Sequence, residues 1–146
     1  MGDWRRSTEE GSYGDLPPDV QGSISAYAER HQLGDLGADA TFCAVTASER
    51  KKLFGKRGQT TSILVTPALL VWTVSEGNDD TTTGVKRSEV EISEFHSDLV
   101  DDTGLEVFGF VPIGASERGT AFIGLGSEAA SRRLKEALGV ETPTRT

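Results

Sequence analysis

Cysteine is almost absent from this chain. Cys43 stands alone, so no disulfide forms within the chain and a cysteine-rich zinc site is excluded. Histidine is nearly as scarce, with His31 and His96 as its two copies. No apolar run approaches the roughly 20 residues that carry a helix across a bilayer. Basic charge is in the minority, 15 Lys and Arg against 23 Asp and Glu, and the net charge of −8 repels phosphate backbones. General nucleic-acid binding is therefore disfavoured. The opening residues, MGDWRRSTEEG, lack the hydrophobic core of a secretory signal, and Ser7 falls one position late for a Met-Gly myristoylation pattern. We expect a cytoplasmic protein of one domain, since 146 residues suffice for one sizeable core.

What is present is a change of rhythm along the chain. Residues 1–18 carry Gly, Ser, Glu and Pro with few apolar side chains, and such a segment is expected to be a flexible arm. In residues 19–34 Val20, Ile24, Tyr27 and His31 fall on one helical stripe, with Asp19 as a capping residue and Gly34 as a stop. From residue 39 the period becomes that of strands. Residues 41–46 form the first, continued toward Phe54, and 55–58 turn the chain. Residues 59–66 and 69–75 are rich in β-branched and aromatic side chains and are split by Pro67, which cannot donate to a ladder. Further strands are expected over 81–87, from Val90 and Ile92 through Phe95, Ser97 and Leu99, over 105–111 and over 120–125. The count is seven. Ser127 then caps a helix over 127–138, with Ala130, Leu134, Ala137 and Leu138 on one face and Arg132, Arg133 and Lys135 toward water. Gly139 stops it, and residues 139–146 are a polar tail.

The succession SILVTPALLVWTV, VKRSEVEISEF, GLEVFGFVP and TAFIGLGSEAASRRLKEAL resembles the bacterial pleckstrin-homology-like domains and their GRAM-like relatives. The resemblance spans about residues 39–138. It implies a mainly β fold, a seven-stranded barrel of two orthogonal sheets capped by the C-terminal helix and preceded here by a short N-terminal helix. Where the eukaryotic members carry a core tryptophan in the final helix, this chain offers Leu134 and Leu138, and Trp72 lies on a strand. Another small β-barrel or sandwich with a C-terminal helix is the alternative architecture.

Candidate sites are few. Arg50, Lys51, Lys52, Lys56 and Arg57 place five cations within eight residues, so the rest of the chain is five charges more acidic than the whole. The resemblance places this cluster in the loop between the first two strands, where phosphoinositide headgroups are held. Lys would supply point charges to such a group and Arg a bidentate fork. The basic-x-Arg triplet of that family is replaced by Gln59-Thr60-Thr61, and Asn78-Asp79-Asp80 would repel phosphate from the same mouth. A solvated turn or a protein contact therefore outweighs headgroup binding. Gly124-Leu125-Gly126-Ser127-Glu128-Ala129 matches the dinucleotide fingerprint, but too little chain follows to complete the unit that fingerprint belongs to, so a strand-to-helix corner is the better reading. His96 and Asp98 alternate away from Ser97, which disfavours a nucleophile system. His96, Asp98, Asp101 and Asp102 have no metal-ligand spacing, and a turn-rich acidic loop explains them better. Cys43 lies on an apolar strand as a structural thiol.

The function expected is a non-catalytic binding module acting through protein–protein contact, with an unidentified protein partner and no cofactor. Anionic-lipid or phosphorylated-ligand binding through residues 50–57 is the alternative, and an enzyme with an unrecognised site the second.

Overall fold

The computed structural model describes residues 4–52, 55–77, 79–97 and 102–139. Leu53, Phe54, Asn78, Asp98, Leu99, Asp101 and the tail 140–146, all named above, lie outside the described residues. The architecture is mainly β. Strands β1 (Trp4–Gly11), β2 (Phe42–Lys52), β3 (Gly55–Val65), β4 (Leu69–Glu76) and β5 (Asp79–Lys86) form one antiparallel sheet in chain order. Strands β6 (Glu91–Ser97), β7 (Asp102–Phe110) and β8 (Gly119–Gly124) form a second. Helices α1 (Pro18–His31), α2 (Leu36–Asp39) and α3 (Glu128–Ala137) complete the chain.

Two cores lie on opposite faces of the first sheet. Ile63, Val65, Leu70, Trp72 and Val85 meet Leu105, Val107 and Ile123 of the second sheet and Ala130, Leu134 and Leu138 of α3. On the other face Cys43, Leu64, Leu69 and Val71 pack beneath Val20, Ile24, Ala28 and Leu36 of α1 and α2. Both faces of β3 and β4 are thus covered, which is why SILVTPALLVWTV reads as an almost continuous apolar run. Pro67 falls between these strands, and Thr66 Oγ1 accepts from the amides of Ala68 and Leu69 in the turn.

The N-terminal helix packs on the chain's own sheet. It begins on Pro18, whose missing N–H costs nothing in a first turn, so that Pro17 and not Asp19 holds the cap position, and it ends on Gln32 at φ 55°, two residues before Gly34. Tyr27 anchors its last turns. Its hydroxyl accepts from the Gly84 amide at 2.9 Å and donates to the Ile113 carbonyl at 3.2 Å, while the Ile113 amide donates to the Gly84 carbonyl at 2.9 Å. β5 is the outer strand of its sheet, and these bonds occupy its free edge at Gly84.

Several expectations are corrected. Residues 4–11 are not a loose arm: β1 pairs with β2 residue by residue from Trp4↔Arg50 to Gly11↔Cys43. The ladder satisfies its backbone without any apolar face, so composition alone gave no sign of it. The seven expected strands become eight, in sheets of five and three, and residues 55–58 are not a turn but the start of β3, still paired with β2. Lys135 does not face water. It is 5% exposed, and its ammonium lies 3.2 Å from the Glu94 carboxylate. Burial of such an ion requires a partner, and β6 supplies one. Ser127 caps α3 as its sequence implies, accepting from the Ala130 amide at 3.1 Å.

Candidate functional site

Antiparallel pairing brings the five cations together at one end of the β2–β3 hairpin. Arg50 is opposite Arg57, Lys51 opposite Lys56, and Lys52 opposite Gly55. β3 pairs with β4 only from Thr60 onward, so the basic residues lie on a ribbon beyond that ladder, with β1 reaching it only at Trp4, opposite Arg50. The register therefore sets residues of like charge directly opposite one another.

The same sheet end also carries acids. Glu49 is opposite Gly58 at the base of the ribbon. Glu76 pairs with Asp79 and Ser75 with Asp80, and Ser75 pairs with Thr60. Asp80 thus sits two strands across from Thr60, about 10 Å away, and Arg57 lies about 10 Å further along β3. Separations of that order exceed the screening length of roughly 8 Å in physiological salt. Asp79 and Asp80 share this sheet end with the five basic residues. Sequence spacing pointed to the cluster and to Asp79 and Asp80, but not to Glu49 and Glu76, which only the register brings to this end.

The glycines of the dinucleotide-like corner have a local explanation. A Cβ on Gly124 would collide with the Arg6 guanidinium, and one on Gly126 would come within 2.9 Å of the Thr8 amide nitrogen. Arg6 Nη1 donates to Ser48 Oγ at 2.8 Å, and its guanidinium lies 5.8 Å from the Phe122 ring centroid. Thr8 Oγ1 shares a hydrogen bond with Thr46 Oγ1 at 2.8 Å and accepts from the Gly126 amide at 2.8 Å. Glu10 pairs with Arg133 of α3. The space over this corner, where a phosphate would sit in a dinucleotide site, is taken by β1.

The remaining candidates are scattered. Cys43 is buried on the α1 side of β2, and burial, reinforced by the negative charge of Asp15, pushes its thiol up to about 11. The proton stays on sulfur at neutral pH. His31 packs against Tyr27 with tilted rings whose centroids are 4.6 Å apart, and it lies on α1, remote in sequence from His96 on β6. His96 and Asp102 are placed by backbone alone, opposite Thr103 and Ser97 respectively. Among the described residues no group of three or more His, Cys, Asp and Glu is arranged to hold a metal ion. Two open clefts flank α1: one of 390 Å³ bounded by Glu9, Asp15, Pro17 and Cys43, and one of 450 Å³ between α1 and α2. No helix of the described residues is long and apolar enough to cross a membrane.

Comparison with known proteins gives no match to a family model, to a curated protein or to a solved structure.

Proposed function

We propose that this chain is a non-catalytic binding module of the pleckstrin-homology-like type that acts through protein–protein contact at the β2–β3 rim. The order of elements supports the architecture: two antiparallel sheets in chain order, then a helix whose Leu134 and Leu138 enter the core the sheets share. In this reading the sheets form a barrel, with β1 as an added strand beside the corner at 124–126 and α3 as the plug. The observation that carries the function is the rim itself, where the register places five basic residues beyond the β3–β4 ladder while Glu49, Glu76, Asp79 and Asp80 lie at the same sheet end. A surface of both signs suits the mixed charge of another protein, which it would select and orient. It suits a phosphate-rich surface poorly.

Affinity capture from the native host tests this, using the full chain and a Lys51→Glu/Lys56→Glu variant side by side. A discrete set of proteins retained by the first and lost from the second is the expected outcome. Equal recovery by both would reject the rim as the contact.

A second reading rests on the like-charged residues that the register sets opposite one another in the hairpin. In it, residues 50–57 hold an anionic lipid or a phosphorylated ligand. Each cation near an anionic membrane contributes roughly 1 kcal/mol, and the acidic remainder of the chain opposes that attraction. Sedimentation with anionic vesicles at rising salt decides it. No salt-sensitive binding removes this reading and leaves the first standing.

A further inference from the structure

The groove that receives β1 is built without it. Its floor is the outer edge of β2, which the β3 ladder holds in place. Its wall is the corner at 124–126 and Arg133, both fixed through β8 and through Leu134 and Leu138 in the core. Glycines at 124 and 126 leave room for a guanidinium and for a strand backbone, so the recess remains when the strand departs.

The occupant is held by polar contacts. From Arg6 to Gly11 every side chain is polar or absent, and none is fully buried. Recognition is by alternate positions: Arg6 on Ser48 and Gly124, Thr8 on Thr46 and Gly126, Glu10 on Arg133. An extended segment reading Arg-x-Thr-x-Glu, antiparallel to β2, satisfies all three. Elements secured by a ladder and surface polar contacts lie at the low end of local stability and open more readily than core strands.

The strand is joined to the rest of the chain by a short exposed turn. Asp15 accepts from the Ser12 amide at 2.8 Å and from its hydroxyl at 3.0 Å, and Gly11, Ser12, Gly14 and Asp15 are all exposed. Leu16, 2% exposed, anchors the far side in the helix-facing core. The hinge thus lies between two fixed points only a few residues apart.

We propose that the groove also accepts β1 of a second copy of this chain, so that two molecules exchange their amino-terminal strands. The partner copy supplies Arg6, Thr8 and Glu10 to the same contacts. Outside the hinge turn the contacts are the same ones, which makes the exchange a low-cost route to a dimer. The strand's own chain competes at an effective concentration in the millimolar range, so exchange grows with protein concentration. This inference does not rest on the reading of the rim: it concerns the outer edge of β2, which meets the rim only where Trp4 is opposite Arg50, and requires no other protein.

Ser7 and Ala47 are directly opposed and both exposed, which provides the test. A full chain carrying Ser7→Cys is mixed with one carrying Ala47→Cys, incubated at rising concentration, and then oxidised. Cys43 is buried in both. The expected result is a disulfide-linked pair between the two different chains, several-fold above the Ser7→Cys self-pair and lost when Thr8→Pro is added to the Ser7→Cys chain. Light scattering of a chain lacking Gly14 gives a second readout, because a shortened hinge hinders return of the strand to its own groove. That variant is expected to be a dimer. A monomeric hinge-shortened chain, or no cross-chain pair where the Ser7→Cys/Ala47→Cys double variant closes internally, overturns the proposal.

Discussion

The junction of Tyr27, Gly84 and Ile113 offers a quantitative test of how α1 is locked to the sheet. A Cβ on Gly84 would lie 2.9 Å from Tyr27 Cε2 and 3.2 Å from its hydroxyl. Gly84→Ala must therefore push the ring of a residue only 8% exposed, and overpacking of this kind costs about 1–3 kcal/mol. Tyr27→Phe keeps the ring but leaves the Gly84 amide and the Ile113 carbonyl without their partner. That loss costs about 1–3 kcal/mol. Tyr27→Ala removes both the bonds and the ring, for about 3–5 kcal/mol. In that background the added methyl meets no ring, and the Gly84→Ala penalty should vanish. The four-member cycle is read by urea unfolding, with fluorescence of the buried Trp72 as one signal. With m about 1–3 kcal/mol per molar urea, a 2 kcal/mol change moves the midpoint by roughly 1 M. The coupling expected is of the size of the Gly84→Ala penalty itself. Additivity within about 0.5 kcal/mol would refute the junction, since residues in contact couple and distant ones do not.

Other perturbations probe separate parts of the structure. Leu134→Ala, at 1% exposure in the shared core, should cost about 2–5 kcal/mol by equilibrium unfolding, and a change below 1 would place α3 elsewhere. Glu94→Ala leaves the buried Lys135 ammonium without its carboxylate. Because Glu94 is itself 36% exposed, the cost should be about 1–3 kcal/mol, whereas Lys135→Met should be near neutral. Cys43 gives a pH test. Its pKa rises from 9.0 unfolded to about 11 folded, so its contribution is intact below pH 9 and is lost as pH rises toward 11. The decline, on the order of 3 kcal/mol in all, should be missing from Cys43→Ala; parallel stability curves for the two proteins above pH 9 would contradict the burial.

The legible parts of the fold were those with an apolar rhythm. Val20, Ile24 and Tyr27 announced α1, Pro67 separated β3 from β4, and Ser127 marked the start of α3, because each acts through local geometry. β1 escaped notice because WRRSTEEG has no apolar alternation and is ordered by a ladder to residues some forty positions away. Lys135 looked solvated for a similar reason: its partner Glu94 is remote in sequence, and helical spacing carries no record of it. Gly124 and Gly126 resembled a phosphate cradle because small residues admit any close neighbour, and that neighbour proved to be Arg6 and Thr8. For the candidate site, the five cations were countable in advance. Their opposition across the hairpin and the arrival of Glu49 and Glu76 at the same rim were not, since both depend on register.

The central claim is that the ribbon meets protein. A photo-crosslinking side chain placed at position 56 in living host cells, with one at the exposed position 132 of α3 as reference, reports what touches it. A discrete polypeptide adduct at 56 and none at 132 is the result predicted. Lipid adducts at 56, or the same polypeptides captured at both positions, would contradict it.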